Sequence, residues 1–264
     1  MGDRPILIAV TPDGRADAVH RGKDDVQYFV EPWVETMTMK EFIERIGKNT
    51  AESYYLQSQN GNLFSTEFLS TREPDSNEGD AASEFVPLQP DVPAEISWCS
   101  EALGKTPEAV NLWIGNNKSI TSVHSDPYEN IYTVIRGSKK FTLIPPTDGW
   151  CLNEKFYPHA QFSRSSPDAE LEILPSPPGG PPVRWSSLPD RELDDALPVD
   201  VKPIHIDLKP GQTLYLPVGW WHQVYQSEET TIALNWWYDT ETRGLSWAVL
   251  STLREMAKVE NNRQ

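Results

Sequence analysis

Two histidines and one aspartate have residue types and spacing suited to metal chemistry. His124 and Asp126 are separated by one residue in the run His-Ser-Asp, and His222 lies far along the chain. In an extended segment residues i and i+2 point to the same face, so the first two side chains would lie together. Two imidazoles and one carboxylate on a common face form the facial triad that leaves Fe(II) open to substrate and O₂. A catalytic Zn²⁺ takes the same ligand set, so the spacing alone leaves both metals open.

The elements that must position these residues are short β-strands. Twenty-three prolines and fifteen glycines interrupt the chain, which favours strands and loops over long helices. Runs of apolar, β-branched and aromatic residues predict strands at 6–10, 54–57, 110–114, 131–135, 141–144, 204–208, 213–216, 222–225 and 231–238. Thr38 is the predicted N-cap of a helix to about Ile46, and apolar spacing predicts a second helix over 245–259. The sequence therefore predicts an antiparallel, mainly β domain with flanking helices.

Two segments lack the apolar pattern of the strands. Residues 67–101 are acidic, and within them 70–82 predict a solvated surface loop. Residues 163–203 contain the run Pro-Pro-Gly-Gly-Pro-Pro and predict a long loop inserted between sheet strands. The expected organisation is a flanking region at 1–99 with strands, a helix and the acidic loop, a β core at 100–240 with the proline-rich insertion, and a C-terminal helix at 241–264.

Composition excludes several classes of function. The net charge of −16 argues against a protein that binds the phosphate backbone of nucleic acids, and favours basic protein or peptide partners. No apolar run approaches the ~20 residues that span a bilayer, so no membrane partner is expected. Two cysteines cannot form a disulfide scaffold. We therefore expect a cytoplasmic protein, with the nucleus as a second location.

The sequence around the triad resembles the JmjC (cupin-like) family of 2-oxoglutarate oxygenases. The matching blocks stand in the family's order at 121–132, 137–141, 144–146, 211–217, 220–222 and 235–239. The resemblance implies a double-stranded β-helix core of the jelly-roll, cupin-like type with flanking helices. It also implies that His124, Asp126 and His222 bind Fe(II) and that 2-oxoglutarate and O₂ are the cosubstrates.

The same resemblance implies where 2-oxoglutarate binds. Lys139, just after a predicted turn, would bind the distal carboxylate, and Lys140 is the alternative if the strand register shifts by one residue. The residues expected to hydrogen-bond to the cosubstrate or line its pocket are Thr121, Tyr55, Asn130 and Asn235. By residue type alone, the two lysines would be a solvated hairpin tip and the other four ordinary polar strand residues. The aromatic residues predicted for the barrel core are Trp113, Tyr132, Trp221 and Trp236.

Further blocks at 9–14, 16–19, 100–105 and 109–111 resemble the lysyl hydroxylases of this family, which are related to its asparaginyl hydroxylases. This implies 3-hydroxylation of a lysine in a protein, with developmentally regulated GTP-binding proteins as substrates, and a homodimer. Three alternatives remain: histone lysine demethylation, metal-dependent proteolysis of methylated tails, and a non-catalytic cupin-like binding module. Family members usually carry a helical segment ahead of the first block. The resemblance therefore implies that the region 1–99 is shortened and that an extended chain would be more stable and more active.

Overall fold

The computed structural model describes residues 1–48, 50–57, 63–64, 83–166, 169–240 and 245–261. The strands in the first half of the chain are β1 (Pro5–Thr11), β2 (Arg15–Ala16), β3 (Ala18–Arg21), β4 (Gln27–Glu31), β5 (Trp33–Thr38), β6 (Ser53–Tyr55), β7 (Ala109–Gly115), β8 (Ile120–Ser125) and β9 (Tyr128–Arg136). Those in the second half are β10 (Lys139–Ile144), β11 (Lys155–Tyr157), β12 (His159–Ser163), β13 (Glu172–Pro175), β14 (Val183–Trp185), β15 (Ile204–Leu208), β16 (Thr213–Leu216), β17 (Trp221–Gln226) and β18 (Thr231–Asp239). The helices are α1 (Met39–Ile46), α2 (Ser97–Leu103), α3 (Leu193–Ala196) and α4 (Leu245–Asn261), with 3₁₀ helices at Val86–Asp91 and Pro146–Leu152.

Two sheets pack face to face and form the core. The first has the strand order β15-β10-β17-β8 and is extended by β2, which runs parallel to β8. The second has the order β16-β9-β18-β7 and is antiparallel throughout. Apolar side chains from both sheets meet between them, namely Tyr132, Val134, Phe141, Leu143, Leu208, Leu216, Val224 and Ala233. Two four-stranded antiparallel sheets joined through such a core form a jelly roll, so the predicted mainly β, double-stranded β-helix fold is confirmed.

The N-terminal residues cover the outer side of the second sheet. β1 pairs with β5 and β6, and its buried side chains pack with those of α1, β7 and β18 in one apolar cluster. Thr38 is the N-cap of α1. Its hydroxyl accepts a hydrogen bond from the Glu41 amide (3.2 Å), and the Glu41 carboxylate accepts one from the Thr38 amide (2.8 Å). Phe42 on α1 is fully buried. The predicted first strand and the helix starting at Thr38 are therefore confirmed.

The proline-rich segment expected to be a loop contains regular structure, whereas the loop predicted at 70–82 lies outside the described residues. In the proline-rich segment, β13 pairs with β12, β14 pairs with β11, and α3 follows, so the prediction of one long loop is wrong for these residues. In the acidic segment, residues 67–82 lie outside the described residues, whereas 83–101 contain a 3₁₀ helix and most of α2. These short elements are stabilised by partners distant in sequence and carry no periodicity of their own, which explains why sequence patterns did not reveal them.

α4 packs against the 3₁₀ helix at 146–152 at one end of the core. The carboxylate of Glu154, which is largely buried, contacts Arg184 on β14 at 2.6 Å and Arg254 on α4 at 2.7 Å. This pair of contacts joins the proline-rich segment to the C-terminal helix. Within the described ranges, no helix is both long enough and apolar enough to cross a membrane.

Gly14 shapes the turn that leads into β2 and the site. Its φ of +87° is a left-handed conformation, and a Cβ there would overlap the carbonyl oxygen of Lys118. We expect Gly14→Ala to lower the free energy of unfolding by about 2–5 kcal/mol, because positive-φ strain and overpacking add. Gly104 is the matched control: its φ is +67°, but nothing lies within 4 Å of its Cβ position. Gly104→Ala should cost only about 1–2 kcal/mol. Equal losses for the two variants in urea unfolding would contradict this prediction.

Candidate metal centre and cosubstrate cavity

The structure brings His124, Asp126 and His222 together where β8 ends and β17 begins in the first sheet. His124 on β8 and His222 on β17 are directly opposite each other in the antiparallel register, and their ring centroids are 4.3 Å apart. Asp126 follows β8 and lies 3.6 Å from His124, measured from Oδ1 to Nε2, and 3.6 Å from His222, from Oδ2 to Nε2. One ligand atom from each residue lies within 4.8 Å of the others. The i, i+2 pairing predicted from the sequence thus has the expected geometry.

Hydrogen bonds orient both imidazole rings. Nδ1 of His124 is 2.8 Å from the carbonyl oxygen of Ser122, and Nδ1 of His222 is 3.2 Å from that of Trp220. A carbonyl oxygen can only accept, so each Nδ1 carries the proton and each Nε2 presents a lone pair towards Asp126. Outer hydrogen bonds of this kind fix the tautomer of histidine ligands in metal sites.

The protonation state of His222 also suits a metal ion. Burial, with a smaller contribution from His124, lowers the pKa of His222 to about 4, so its ring is neutral at pH 7 and free to coordinate. The ligand set of two imidazoles and one carboxylate fits Fe(II) with open coordination positions. It also fits Zn²⁺, as the sequence alone allowed. The role of these residues as ligands stays a prediction.

A cavity of about 440 Å³ runs from this triad into the space between the two sheets. Every residue predicted to bind the metal or the cosubstrate lines it, namely His124, Asp126, His222, Lys139, Thr121, Tyr55, Asn130 and Asn235. Contributions come from β8, β10 and β17 of the first sheet, β9 and β18 of the second, and β6 of the N-terminal cover. The jelly roll therefore gathers residues spread over most of the chain into one chamber.

Lys139 is the cation of this chamber. It is 1% exposed, and its Nζ donates a hydrogen bond to the Tyr55 hydroxyl at 3.1 Å. Burial lowers its pKa to about 7, and no carboxylate among the described residues offsets that effect. Lys140, the alternative, points to solvent on the other face of β10. A buried ammonium that has no anionic partner within the described ranges fits the carboxylate of a small diacid such as 2-oxoglutarate.

A hydrogen-bonded row of side chains forms the wall contributed by the second sheet. Trp113 Nε1 donates to Asn235 Oδ1 at 2.7 Å, and Asn235 Nδ2 donates to Asn130 Oδ1 at 3.0 Å. Thr121 hydrogen-bonds to the Tyr55 hydroxyl. Each polar group therefore has a fixed orientation towards the cavity. The expectation that Trp113 is a core residue is incomplete, because its indole also orients Asn235.

The cavity residues that were not identified from the sequence include Asp17, Phe29, Glu31 and Trp185. The Trp185 ring stacks on His124 with centroids 6.0 Å apart and planes 8° apart, so it covers one face of that imidazole. It belongs to the proline-rich segment, where no pattern indicated a strand. Asp17 follows β2, and Phe29 and Glu31 lie on β4. These short strands pair with β8 and β12, which are far along the sequence. In the sequence, the one feature that could have indicated Trp185 was its place as a lone tryptophan between proline clusters.

Comparison with known proteins agrees with this architecture. Residues 1–244 match the family described as Cupin-like domain. A protein of Arabidopsis thaliana, Lysine-specific demethylase JMJ32, is 36% identical over 261 residues, which cover 91% of this chain and 68% of the relative. The human Bifunctional peptidase and (3S)-lysyl hydroxylase JMJD7 is 32% identical over 252 residues, covering 91% of this chain and 70% of the relative. JmjC domain-containing protein E of Dictyostelium discoideum is 29% identical over 98% of this chain and 76% of its own length.

Proposed function

The chain belongs to the cupin-like domain family and is a JmjC-type 2-oxoglutarate oxygenase, and from this premise we propose that it hydroxylates a lysine side chain in a protein. The product would be 3-hydroxylysine, and developmentally regulated GTP-binding proteins are the substrates we would test first. Two relatives support a lysine substrate by name, one as a demethylase and one as a lysyl hydroxylase. The observation that carries the proposal is the cavity itself, which joins a three-ligand metal centre to a buried lysine.

The protein's own residues bind and orient the reacting groups. His124, Asp126 and His222 would hold Fe(II), with both rings locked by their Nδ1 hydrogen bonds. Lys139 and the Tyr55 hydroxyl would receive the distal carboxylate of 2-oxoglutarate deep between the sheets. When bound, Fe(II), 2-oxoglutarate and O₂ supply the oxidising power that hydroxylates an unactivated C–H bond and leaves succinate and CO₂.

Exclusion of water is the second task of the cavity walls. Trp185 covers one face of His124, and Phe29 packs against Trp185 with ring centroids 4.8 Å apart. These apolar rings lower the local polarity beside the metal centre, where electrostatic interactions with bound groups are strengthened.

Mass spectrometry separates this proposal from its alternatives. The protein is incubated with Fe(II), 2-oxoglutarate and either a developmentally regulated GTP-binding protein or methylated histone peptides. We expect one added oxygen on a lysine of the GTP-binding protein, with an equal amount of succinate. Loss of methyl groups from the histone peptides without any hydroxylated lysine would favour demethylation, to which the Arabidopsis relative points. Newly formed peptide termini would favour proteolysis, to which the name of the human relative points. The His222→Ala variant is the negative control.

A further inference from the structure

Two carboxylates in the cavity wall have no role in binding a metal or 2-oxoglutarate. Asp17 follows β2, and Glu31 ends β4. Asp17 Oδ2 accepts a hydrogen bond from Gln57 Nε2 at 3.0 Å, and Glu31 Oε1 lies 3.5 Å from His159 Nε2. Among the described residues, neither carboxylate pairs with a lysine or an arginine. A buried carboxylate without a cation is costly, and Asp17 keeps one in the cavity wall, whereas Glu31 beside it is half exposed.

The charge balance of the loaded cavity leaves these two residues uncompensated. Fe(II) with Asp126 and Lys139 contributes two net positive charges, which the two carboxylates of 2-oxoglutarate neutralise. Asp17 and Glu31 then remain as the excess negative charge of the chamber. Burial, and to a lesser extent Glu31, raises the pKa of Asp17 to about 6, so the group is still mostly ionised at pH 7. The loaded cavity is thus complementary to a substrate group that bears a positive charge.

Two aromatic rings line the cavity beside these carboxylates. Phe29 stands two residues before Glu31 on β4, and its ring packs against Trp185, which in turn stacks on His124. A side chain entering along these rings would bury an alkyl stem and keep its charged end at the acidic groups. Lysine has this combination of a long aliphatic stem and a compact terminal cation.

The register of β2 against β8 offsets Asp17 from the metal ligands. Ala16 lies opposite Thr121 in this parallel pairing, so Asp17 follows at the level of Ser122, two residues before His124. At 3.3 Å per residue the offset along the strand is about 7 Å. If Asp17 bound the terminal nitrogen of a substrate residue, the carbon atoms of that residue would therefore lie nearer to the triad than the nitrogen itself.

We propose that Asp17 and Glu31 form the subsite that binds the unmethylated ammonium group of the substrate lysine and presents one of that lysine's C–H bonds to the metal centre. This inference rests on the proposed lysyl hydroxylation and specifies how that substrate is selected. A free ammonium donates three hydrogen bonds, which two carboxylates can accept, whereas a trimethylated nitrogen donates none. The subsite accordingly selects lysine over norleucine by charge, and over trimethyllysine by hydrogen bonding.

Binding experiments with matched peptide pools test the subsite without relying on turnover. The pools are degenerate heptapeptides with identical flanks and lysine, norleucine or Nε-trimethyllysine at the centre. Calorimetry is performed on the full-length protein with Mn(II) and N-oxalylglycine, an unreactive analogue of 2-oxoglutarate. We expect the lysine pool to bind wild-type protein roughly 10- to 100-fold more tightly than the other two pools, as a charge-assisted hydrogen bond requires. Asp17→Asn and Glu31→Gln should each remove most of that advantage.

Asp25→Asn is the matched control. Asp25 has a φ of +67° and Asp17 one of +51°, so both substitutions place asparagine in a left-handed conformation that it tolerates. Asp25 is exposed and bonds to Arg21, away from the cavity lining. Its variant should keep the full preference for the lysine pool. Equal affinity of wild-type protein for the lysine and norleucine pools would overturn the inference. So would an Asp17→Asn variant that behaves like Asp25→Asn.

Mass spectrometry of the products separates failure of the subsite from failure of the proposed function, because hydroxylation and demethylation both form succinate. If wild-type protein hydroxylates lysine but Asp17→Asn and Glu31→Gln leave lysine binding intact, the subsite is wrong and lysyl hydroxylation stands. If both variants lose the preference for the lysine pool but only demethylated products form, the subsite stands and the proposed reaction is wrong.

Discussion

Replacing either His124 or Asp126 with alanine is expected to abolish Fe(II)-dependent formation of succinate. Each residue supplies one of the three ligand atoms that lie within 4.8 Å of one another. Loss of an outer partner of a metal ligand already costs roughly 10- to 100-fold in affinity or activity, and loss of the ligand itself should cost more. The measurements are bound iron after anaerobic loading and succinate yield at saturating 2-oxoglutarate. Both should fall together in the variants.

Two residues on β15 of the same sheet provide controls. His205→Ala and Asp207→Ala remove the same side-chain types from exposed positions that do not line the cavity. These variants should bind iron and form succinate as the wild-type protein does. All four variants should melt within a few degrees of the wild type, because the triad residues lie at the edge of the apolar core rather than inside it. Normal turnover by His124→Ala with full iron content would disprove the ligand assignment.

The pairing of His124 with Asp126 could be predicted from local geometry, whereas the addition of His222 and the burial of Lys139 were implied by the family resemblance. The run His-Ser-Asp needs only an extended backbone to put two ligands on one face, and β8 provides it up to Ser125. Lys139 and Lys140 alternate across β10, so a single strand assignment decides which of them is buried. The register of β10 against β17 then places Lys139 opposite Gln226, four residues beyond His222 on the same strand.

The part of the site that faces the substrate could not be predicted, because long-range pairing forms it. β14 has three residues between prolines and is held by β11, so Trp185 had no periodicity that would indicate its position over His124. Asp17 takes a positive φ between two very short strands, and its place depends on β2 joining β8 more than a hundred residues away. The residues predicted to bind the cosubstrate lie on strands with a clear sequence pattern, whereas Asp17 and Trp185 lie on short segments whose places depend on distant partners.

Lys139→Met is expected to raise the Michaelis constant for 2-oxoglutarate roughly 10- to 100-fold with a smaller change in kcat. Methionine keeps the buried apolar stem of the side chain but removes the ammonium that would bind the distal carboxylate. A hydrogen bond between charged groups contributes about 1.5–3 kcal/mol, which gives this range. Lys140→Met removes the neighbouring exposed charge on the same strand and should leave the Michaelis constant within about twofold. The opposite ranking of the two variants would mean that Lys140 binds the cosubstrate.

The pH dependence of 2-oxoglutarate binding tests the same residue by an independent route. Burial lowers the pKa of Lys139 from 10.5 to about 7 in the free protein, so above pH 7 the amine is mostly neutral. A bound carboxylate favours the ammonium form, and binding above pH 7 must therefore take up a proton. The affinity for 2-oxoglutarate is measured by calorimetry with Mn(II). Titration of Lys139 should leave this affinity constant below pH 7 and lower it by up to about tenfold per pH unit above pH 7. Lys139→Arg keeps its charge throughout this range and should abolish the dependence.

Proton uptake at pH 8, measured in buffers of different ionisation enthalpy, should be close to one per 2-oxoglutarate for wild-type protein and absent for Lys139→Arg. Equal uptake by both proteins would assign the proton to another group and remove Lys139 from the cosubstrate site.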